Sequence, residues 1–466
     1  MHSSVSHDIK GSDTVFYADK NIPVLYDTDV CVIGGGPSGI AAAVSSAERG
    51  TRTVLIERGI SLGGLQTLGN VIPCMTSFAP DSDTPFVKTL KKRLLDEGIE
   101  FDDRTEGSEV SIWTNPEALS RIYDDMCEDA RVEVLYNAVF VDTVMDGKNI
   151  SAVIVQTIAG LRAVKGRLFI DGTGDAALAR AAGVPCECGY EKTGFNQPMS
   201  FRFEIGGIDM EKLHHHVTAV LKDNWCKSPL PYLTIAEARH RAVKYVLEDF
   251  MVKGIESGEL TEADAEYMQG FAIIGKPGTM SMNCPELPSE YSASDPVSYS
   301  RGVREGRRMI HRITQYFIKH MPGFENAYLA KEASMLGARE SWRIRGKVYL
   351  TEDDYHNESR YPDAVARTAW FIDAHGEKIS EKLPKGAYYE IPYRAMIAEE
   401  AENLITAGRC ISASFILQAS MRIQVTCMSI GEAAGIAAAW SVKHGLPANA
   451  VDWSKIPPSE RSYASE

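Results

Sequence analysis

Residues Asp29–Glu57, DVCVIGGGPSGIAAAVSSAERGTRTVLIE, read in order as a strand, a glycine-rich turn, a small-residue helix and a second strand ending in an acid. Val30, Val32 and Ile33 form the short apolar run of a buried parallel strand. Gly34 permits a tight turn, Gly36 removes a Cβ that would block a pyrophosphate, and Gly39 lets the helix sit close to the strand. The helix N-terminus, carrying Pro37 and Ser38, offers free N–H groups and a partial positive charge to phosphates. Glu57 follows Gly34 by 23 residues, where an acid takes the hydroxyls of a ribose. A lone GxGxxG also fits a glycine-rich loop. Here the strand before, the helix after and the placed acid agree on the ADP half of FAD or NAD, and therefore on electron transfer.

The remaining chain bounds this reading. Its 466 residues exceed what one core usually holds, so two domains are expected. A hydrophobic share of 44% and a charged share of 24% fit a globular enzyme, and a formal charge of −14 argues against a nucleic-acid surface. The start, MHSSVSHDIKGSD, lacks the apolar core of a signal peptide, and residues 1–24 read as a loose arm. No apolar run is expected to approach the ~20 residues that span a bilayer. Nine irregularly spaced cysteines suggest reduced thiols and a cytoplasmic location. Cys186-x-Cys188 has no answering pair, and no metal site is expected.

Helices are expected over 85–98 and 116–130, the second capped by Asn115 with Pro116 at its first position. Strands follow at 132–136, 138–145, 150–158 and 161–170, with Asp146-Gly147 as a hairpin turn. From 190 the character changes: helical stretches (235–256, 301–319) alternate with strand candidates (199–205, 270–283, 386–391). The nucleotide-domain style returns in ENLITAGRCI, Glu402–Ile411, and in the Ala- and Gly-rich helix Gln424–His444. The expected fold class is α/β: a Rossmann-like domain with a β-meander over 25–195 and 395–450, interrupted by an inserted α+β substrate or cap domain over 196–394.

Four separated motifs, GGGPSG (34–39), GGLQT (63–67), DGTGD (171–175) and AGRCIS (407–412), stand together with RIQVTCMSIGEAAGIAAA (422–439). The chain thereby resembles the FAD-dependent oxidoreductases among the glutathione-reductase-like, two-dinucleotide-binding-domain flavoproteins. GARESWRIRG (337–346) is similar to a further signature, in which relatives commonly carry arginine at the position of Trp342. The resemblance implies FAD. It places Gly34, Gly36 and Gly39 at the pyrophosphate, Glu57 at the ribose and Arg58 near the adenine. It assigns Gly63, Gly64, Leu65 and Thr67 to a paired-glycine loop beside phosphates and flavin. Val139 falls where the family contacts adenine, and Thr173 and Gly174 beside the ADP moiety. Gly408 and Arg409 form a late turn near the ribityl chain; many relatives carry Asp at position 409, so a phosphate contact is the alternative here. Only one convincing GxGxxG is present, so a second, NAD(P)H-binding fold is not expected.

The last helix would aim its start, near Gln424, at the flavin ring, where a helix N-terminus stabilises negative charge on the reduced form. For catalysis, strand periodicity in WFIDAHG puts Phe371, Asp373 and His375 on one face, a carboxylate orienting an imidazole. A solvated loop is the alternative, because Gly376 follows. In ARESWRIRG a strand would align Arg339, Ser341, Arg343 and Arg345 as a grip for a carboxylate or phosphate; interdomain salt bridges are the alternative. Arg422 is a third candidate. Arg301, Arg304, Arg308 and Arg312 read as a solvated helix face, His214-His215-His216 as a solvent-facing run and Cys74 as a packed thiol.

The leading functional expectation is hydride transfer between flavin N5 and a small organic, anionic substrate, with an electron partner the sequence does not specify. A fumarate-reductase-like reduction of an activated C=C bond, a non-redox protein with structural FAD, and an NAD-binding protein without flavin are the alternatives. No nucleic acid or membrane span is expected among its partners, and a homo-oligomer stays open.

Overall fold

The computed structural model describes residues 21–75, 77–99, 110–220, 234–239, 247–377 and 379–463; most of the expected N-terminal arm lies outside them. A mixed sheet forms the first layer, in the order Glu133–Leu135, Thr53–Ile56, Val24–Ile33, Gly160–Asp171, Asn149–Thr157, Val139–Asp146. The first four strands run parallel and the last three form the expected antiparallel meander. Gly160–Asp171 is long enough to serve both halves. Its first part pairs with the meander, and its end pairs in parallel with Leu404–Thr406, through Leu404↔Phe169 and Thr406↔Asp171. The α/β Rossmann-like class read from the sequence is the observed one.

Local sequence explains the elements around this sheet. Asn115 caps helix Pro116–Asp129 by accepting the N–H groups of Glu117 and Ala118, and Leu119, Ile122, Tyr123 and Met126 form its buried stripe. Helix Gln424–His444 ends in Gly445 at φ 66, with Lys443 and His444 in its last turn. At 21 residues this helix is long and apolar enough to cross a membrane, which corrects the expectation that no run approaches that length. It is a core helix instead, 89% buried in its most apolar window. It lies against helix Pro37–Ala47. A Cβ on Gly431 would come within 2.1 Å of Ser38 O, and one on Gly435 within 2.2 Å of Ala42 O. Glu432, on the same helix, accepts the Phe86 N–H at 3.1 Å and so satisfies a free donor at the start of helix Pro85–Asp96.

A second sheet is antiparallel, ordered Thr234–Arg239, Tyr267–Ala272, Met280–Met282, Phe203–Gly206, Tyr328–Glu332. One of its faces packs Phe203, Ile205, Met268, Met280 and Met282 into a core shared with helix Pro296–His320. Residues 234–239 form a strand where a helix over 235–256 is expected: hydrogen bonding to Tyr267–Ala272 overrides local propensity, and the helix begins only at Glu248. Residues 240–246 of that expected helix lie outside the described residues. Leu350, Val365, Ile372, Tyr389 and Ile391 pack into the first core, whereas the second core draws on residues 199–336.

The Gly431 and Gly435 contacts leave no room for a side chain. Gly431→Ala is expected to cost about 1–3 kcal/mol of stability or more in urea denaturation; an unchanged midpoint would show that these helices are not locked together.

Candidate functional site

One cavity of about 650 Å³ runs along the C-terminal ends of the parallel strands, between the two sheets. Ile33, Gly34, Gly36, Pro37, Ser38, Ile56, Glu57 and Arg58 form one end of its lining. Gly34 has φ 98 and a Cβ there would meet Gly172 O at 2.7 Å, so the turn requires glycine. A Cβ on Gly39 would sit 1.8 Å from Gly34 O, so this glycine serves packing and lies outside the lining. Gly36 differs: its added Cβ would meet only Gly172 O, at 4.0 Å, leaving open wall over the helix start. Ile40 N already bonds Gly36 O, and the N–H groups of Ser38 and Gly39 have no partner within the helix. Glu57 is held in place by accepting the N–H groups of Gly35 at 2.7 Å and Gly59 at 2.6 Å, each carboxylate oxygen retaining a lone pair.

The middle of the cavity is built by turns. Gly64, Leu65, Val139, Thr173, Gly174, Asp175 and Arg409 line it. Gly63, Thr67 and Gly408 do not. Thr67 Oγ1 donates to Leu62 O at 2.6 Å and tightens the loop, while Gly408, at φ 90, makes room for Ser38. These three residues shape the walls around the cavity. Asp171, fully buried, accepts from Thr173 N, Thr173 Oγ1 and Ala179 N, and burial raises its carboxyl above the usual range. Arg409 bonds Gly174 O at 2.8 Å and Asp175 Oδ1 at 2.7 Å. Burial opposes ionisation of Asp175, but Arg409 and Ser341 outweigh it and hold the carboxyl below its usual value.

The far end carries the charged groups. Phe371, Asp373 and His375 all line the cavity, as the strand periodicity of WFIDAHG requires; the strand itself is Ile372–Ala374. His375 Nδ1 lies 2.6 Å from Glu286 Oε2, and its Nε2 lies 3.3 Å from Asp373 Oδ1. Arg339 pairs with Glu286 at 3.2 Å, and Arg422 reaches Asp373 Oδ2 at 3.3 Å. The result is a row, Arg339, Glu286, His375, Asp373, Arg422. Burial and Arg339 disfavour the imidazolium, yet Asp373 and Glu286 prevail and raise His375 above 6.5. Burial likewise opposes ionisation of Asp373, and His375 and Arg422 overcome it, holding that carboxyl well below its usual range. Arg422 is pushed down to about 10, chiefly by burial. Gln424 and Cys427, at the start of the last helix, complete this end.

Arg343 is a correction. The strand covers only Trp342–Ile344, so Arg339 and Ser341 lie outside it and the expected row of four does not form. Arg343 is fully buried outside the cavity, bonded to Ala413 O at 3.0 Å and ion-paired with Glu340 and Glu187. Of the expected anion grip, Arg339 alone lines the cavity; Ser341 is spent on Asp175 and Arg345 on Glu187. Sequence reading missed Glu286, Tyr267, Gln269, Asn283 and Arg202, all but Glu286 in the lining. Alternation was the available signal: in YMQGF, Tyr267, Gln269 and Phe271 line the cavity, while Met268 belongs to the second core. Among the described residues no group of three or more His, Cys, Asp or Glu is placed to hold a metal ion.

A cavity whose one end is a glycine turn over a helix start, with an acid fixed beside it, fits the ADP part of FAD. The model of the family described as FAD dependent oxidoreductase matches residues 29–458, and the chain belongs to that family. It is an FAD-dependent enzyme. Thiamine thiazole synthase of Methanococcus maripaludis is 27% identical over 164 residues, 33% of this chain and 59% of the relative. Mitochondrial dihydrolipoyl dehydrogenase of Bos taurus is 43% identical over 65 residues, 13% of this chain and 12% of the relative. The chain thus spans less than two thirds of either relative. Among solved structures, a flavin-dependent brominase aligns with a TM-score of 0.49 at 13% identity, over 92% of this chain and 81% of that one. A geranylgeranyl bacteriochlorophyll reductase-like protein of Thermoplasma acidophilum aligns with a TM-score of 0.43 at 13% identity, over 90% and 80%.

Two outcomes are expected. Arg343→Leu strands the buried Glu340 carboxylate and should cost about 3–5 kcal/mol of stability without altering binding in the cavity. His375 should titrate above 6.5 by NMR. Its contribution to stability is then complete below about 6.5 and lost as pH rises through the raised midpoint. A midpoint at or below 6.5 would contradict the carboxylate row.

Proposed function

We propose that the enzyme transfers a hydride between flavin N5 and a small anionic organic molecule bound at the charged end of the cavity. The observation that carries this reading is His375 held between Glu286 and Asp373 on the wall of the cavity whose other end is the glycine turn. Bound FAD supplies the hydride acceptor or donor. The chain's own residues do the rest. Gly34, Gly36 and the start of helix Pro37–Ala47 would hold the pyrophosphate, Glu57 the ribose, and Arg58 and Val139 the adenine. Gln424 and the N-terminal turn behind it would favour negative charge on a reduced flavin bound there. Glu286, the nearer carboxylate, fixes the Nδ1 proton of His375. The Nε2 proton, facing the longer 3.3 Å contact, is the one exchanged with substrate.

Asp373 and Glu286 favour the protonated form of His375 and raise its midpoint from the ordinary imidazole value. That supports, as a second reading, the reductive direction, with the Nε2 proton delivered to an activated C=C bond. The glutathione-reductase-like class, with a single dinucleotide fold, is also our reading, supported by the spacing of GGGPSG, DGTGD and AGRCIS. A reducing, cytoplasmic setting belongs with it, supported by the eight described cysteines, all of them free.

The purified protein should be yellow, and anaerobic mixing with a metabolite library should bleach or restore the flavin band with its substrate. His375→Gln should retain FAD and slow that step by about 10²- to 10⁴-fold. A protein that takes up no FAD, or a variant that keeps the wild-type rate, would refute the reading.

A further inference from the structure

Arg202 lies in the segment Phe201–Gly206, where alternation sends Phe201, Phe203 and Ile205 into the second core and leaves Arg202 on the opposite face. That face lines the cavity. The residue is only 7% exposed, yet among the described residues it makes one hydrogen bond, to Asn70 O at 3.2 Å, and no ion pair. Five guanidinium donors are therefore served by one carbonyl. Every other arginine at this end has an acid: Arg339 has Glu286 and Arg422 has Asp373. Burying a cation without a counter-charge is costly, and here burial, with Arg339 adding to it, pushes Arg202 down to about 10. The surrounding charge does not relieve it. Glu286 and Asp373 are already engaged by Arg339, His375 and Arg422, so the row has no carboxylate to spare for Arg202.

Resting on the hydride-transfer reading of this cavity, we propose that Arg202 is the substrate's anion anchor and that the substrate is a small organic carboxylate. The planar fork of Arg202 takes the carboxylate in a bidentate contact, and the ligand supplies the missing counter-charge. Tyr267, Gln269 and Asn283 stand on the same sheet face. Asn283 Nδ2 donates to Tyr267 Oη at 3.1 Å and to Gln269 Oε1 at 2.9 Å, a preformed polar floor for the remainder of the ligand. The anchored carboxylate thereby sets the register of the reacting carbon against His375.

The test is calorimetric binding to the oxidised holoenzyme of acetate, succinate and benzoate, each beside its neutral amide, with inorganic phosphate as the other anion. At least one carboxylate should bind at least ten times more tightly than its amide. Arg202→Met should weaken that binding by about 10- to 100-fold with FAD content unchanged. Arg202→Lys keeps the charge, loses the fork and should also bind more weakly, which secures the test if the Met variant does not fold. The proposal is overturned if no carboxylate binds, if amides bind equally, if only phosphate binds, or if Arg202 variants bind carboxylate normally. It is also overturned if they shift the flavin reduction potential while carboxylate affinity stays constant, for the guanidinium would then serve the flavin. Binding needs no turnover, so failure of hydride transfer would appear separately, as a flavin that no substrate reduces.

Discussion

The contact on which the architecture depends is the near fusion of helix Pro37–Ala47 with helix Gln424–His444. Gly431 and Gly435 let the backbones approach to distances at which any side chain would strike Ser38 O or Ala42 O. Two segments almost 400 residues apart are thereby one structural unit. Strand Leu404–Thr406 completes it by joining the sheet beside Gly160–Asp171. Everything between must leave this unit and return to it. The second sheet is therefore held over the C-terminal ends of the parallel strands, and the cavity is the space between.

The second sheet has two unlike faces. Its apolar face is satisfied by helix Pro296–His320. Its other face carries Arg202, Glu204, Tyr267, Gln269, Ser281 and Asn283, and polar groups so enclosed need partners. Some find them within the protein: Glu204 takes Lys276, and Ser281 bonds Asn70 O. The others face the cavity. Opposite, the row from Arg339 to Arg422 holds alternating charges at hydrogen-bond range, which lets an imidazolium persist in a buried place. Under the proposed reading, these fixed charges would be in place before an anion arrives.

Much of this was legible in the sequence because local chemistry dictates it. The turn at Gly34–Gly39, the cap at Asn115, the hairpin after Asp146 and the helix from Gln424 all follow from residue types at fixed offsets. The alternation that put Phe371, Asp373 and His375 on one face also survived, since a short strand is present there. Arg339 and Arg343 show where the method stops. Alternation places them together only if the strand extends through both, and it begins at Trp342. Arg343 then met Glu340, three residues away, and Glu187 in the core; the Glu187 pairing is set by the neighbouring strand Cys186–Cys188 and is invisible locally. Glu286 and Arg202 were missed for the same reason: their partners lie 89 and 132 residues away, at His375 and Asn70.

The central claim is that the split nucleotide fold delivers the flavin ring to the charged row. A diffraction structure of the FAD-bound enzyme tests it directly. The account requires the pyrophosphate over Gly34–Ser38 and the isoalloxazine ring between the start of helix Gln424–His444 and His375. A ring directed away from His375, or an ADP moiety seated elsewhere than the Gly34 turn, would contradict it.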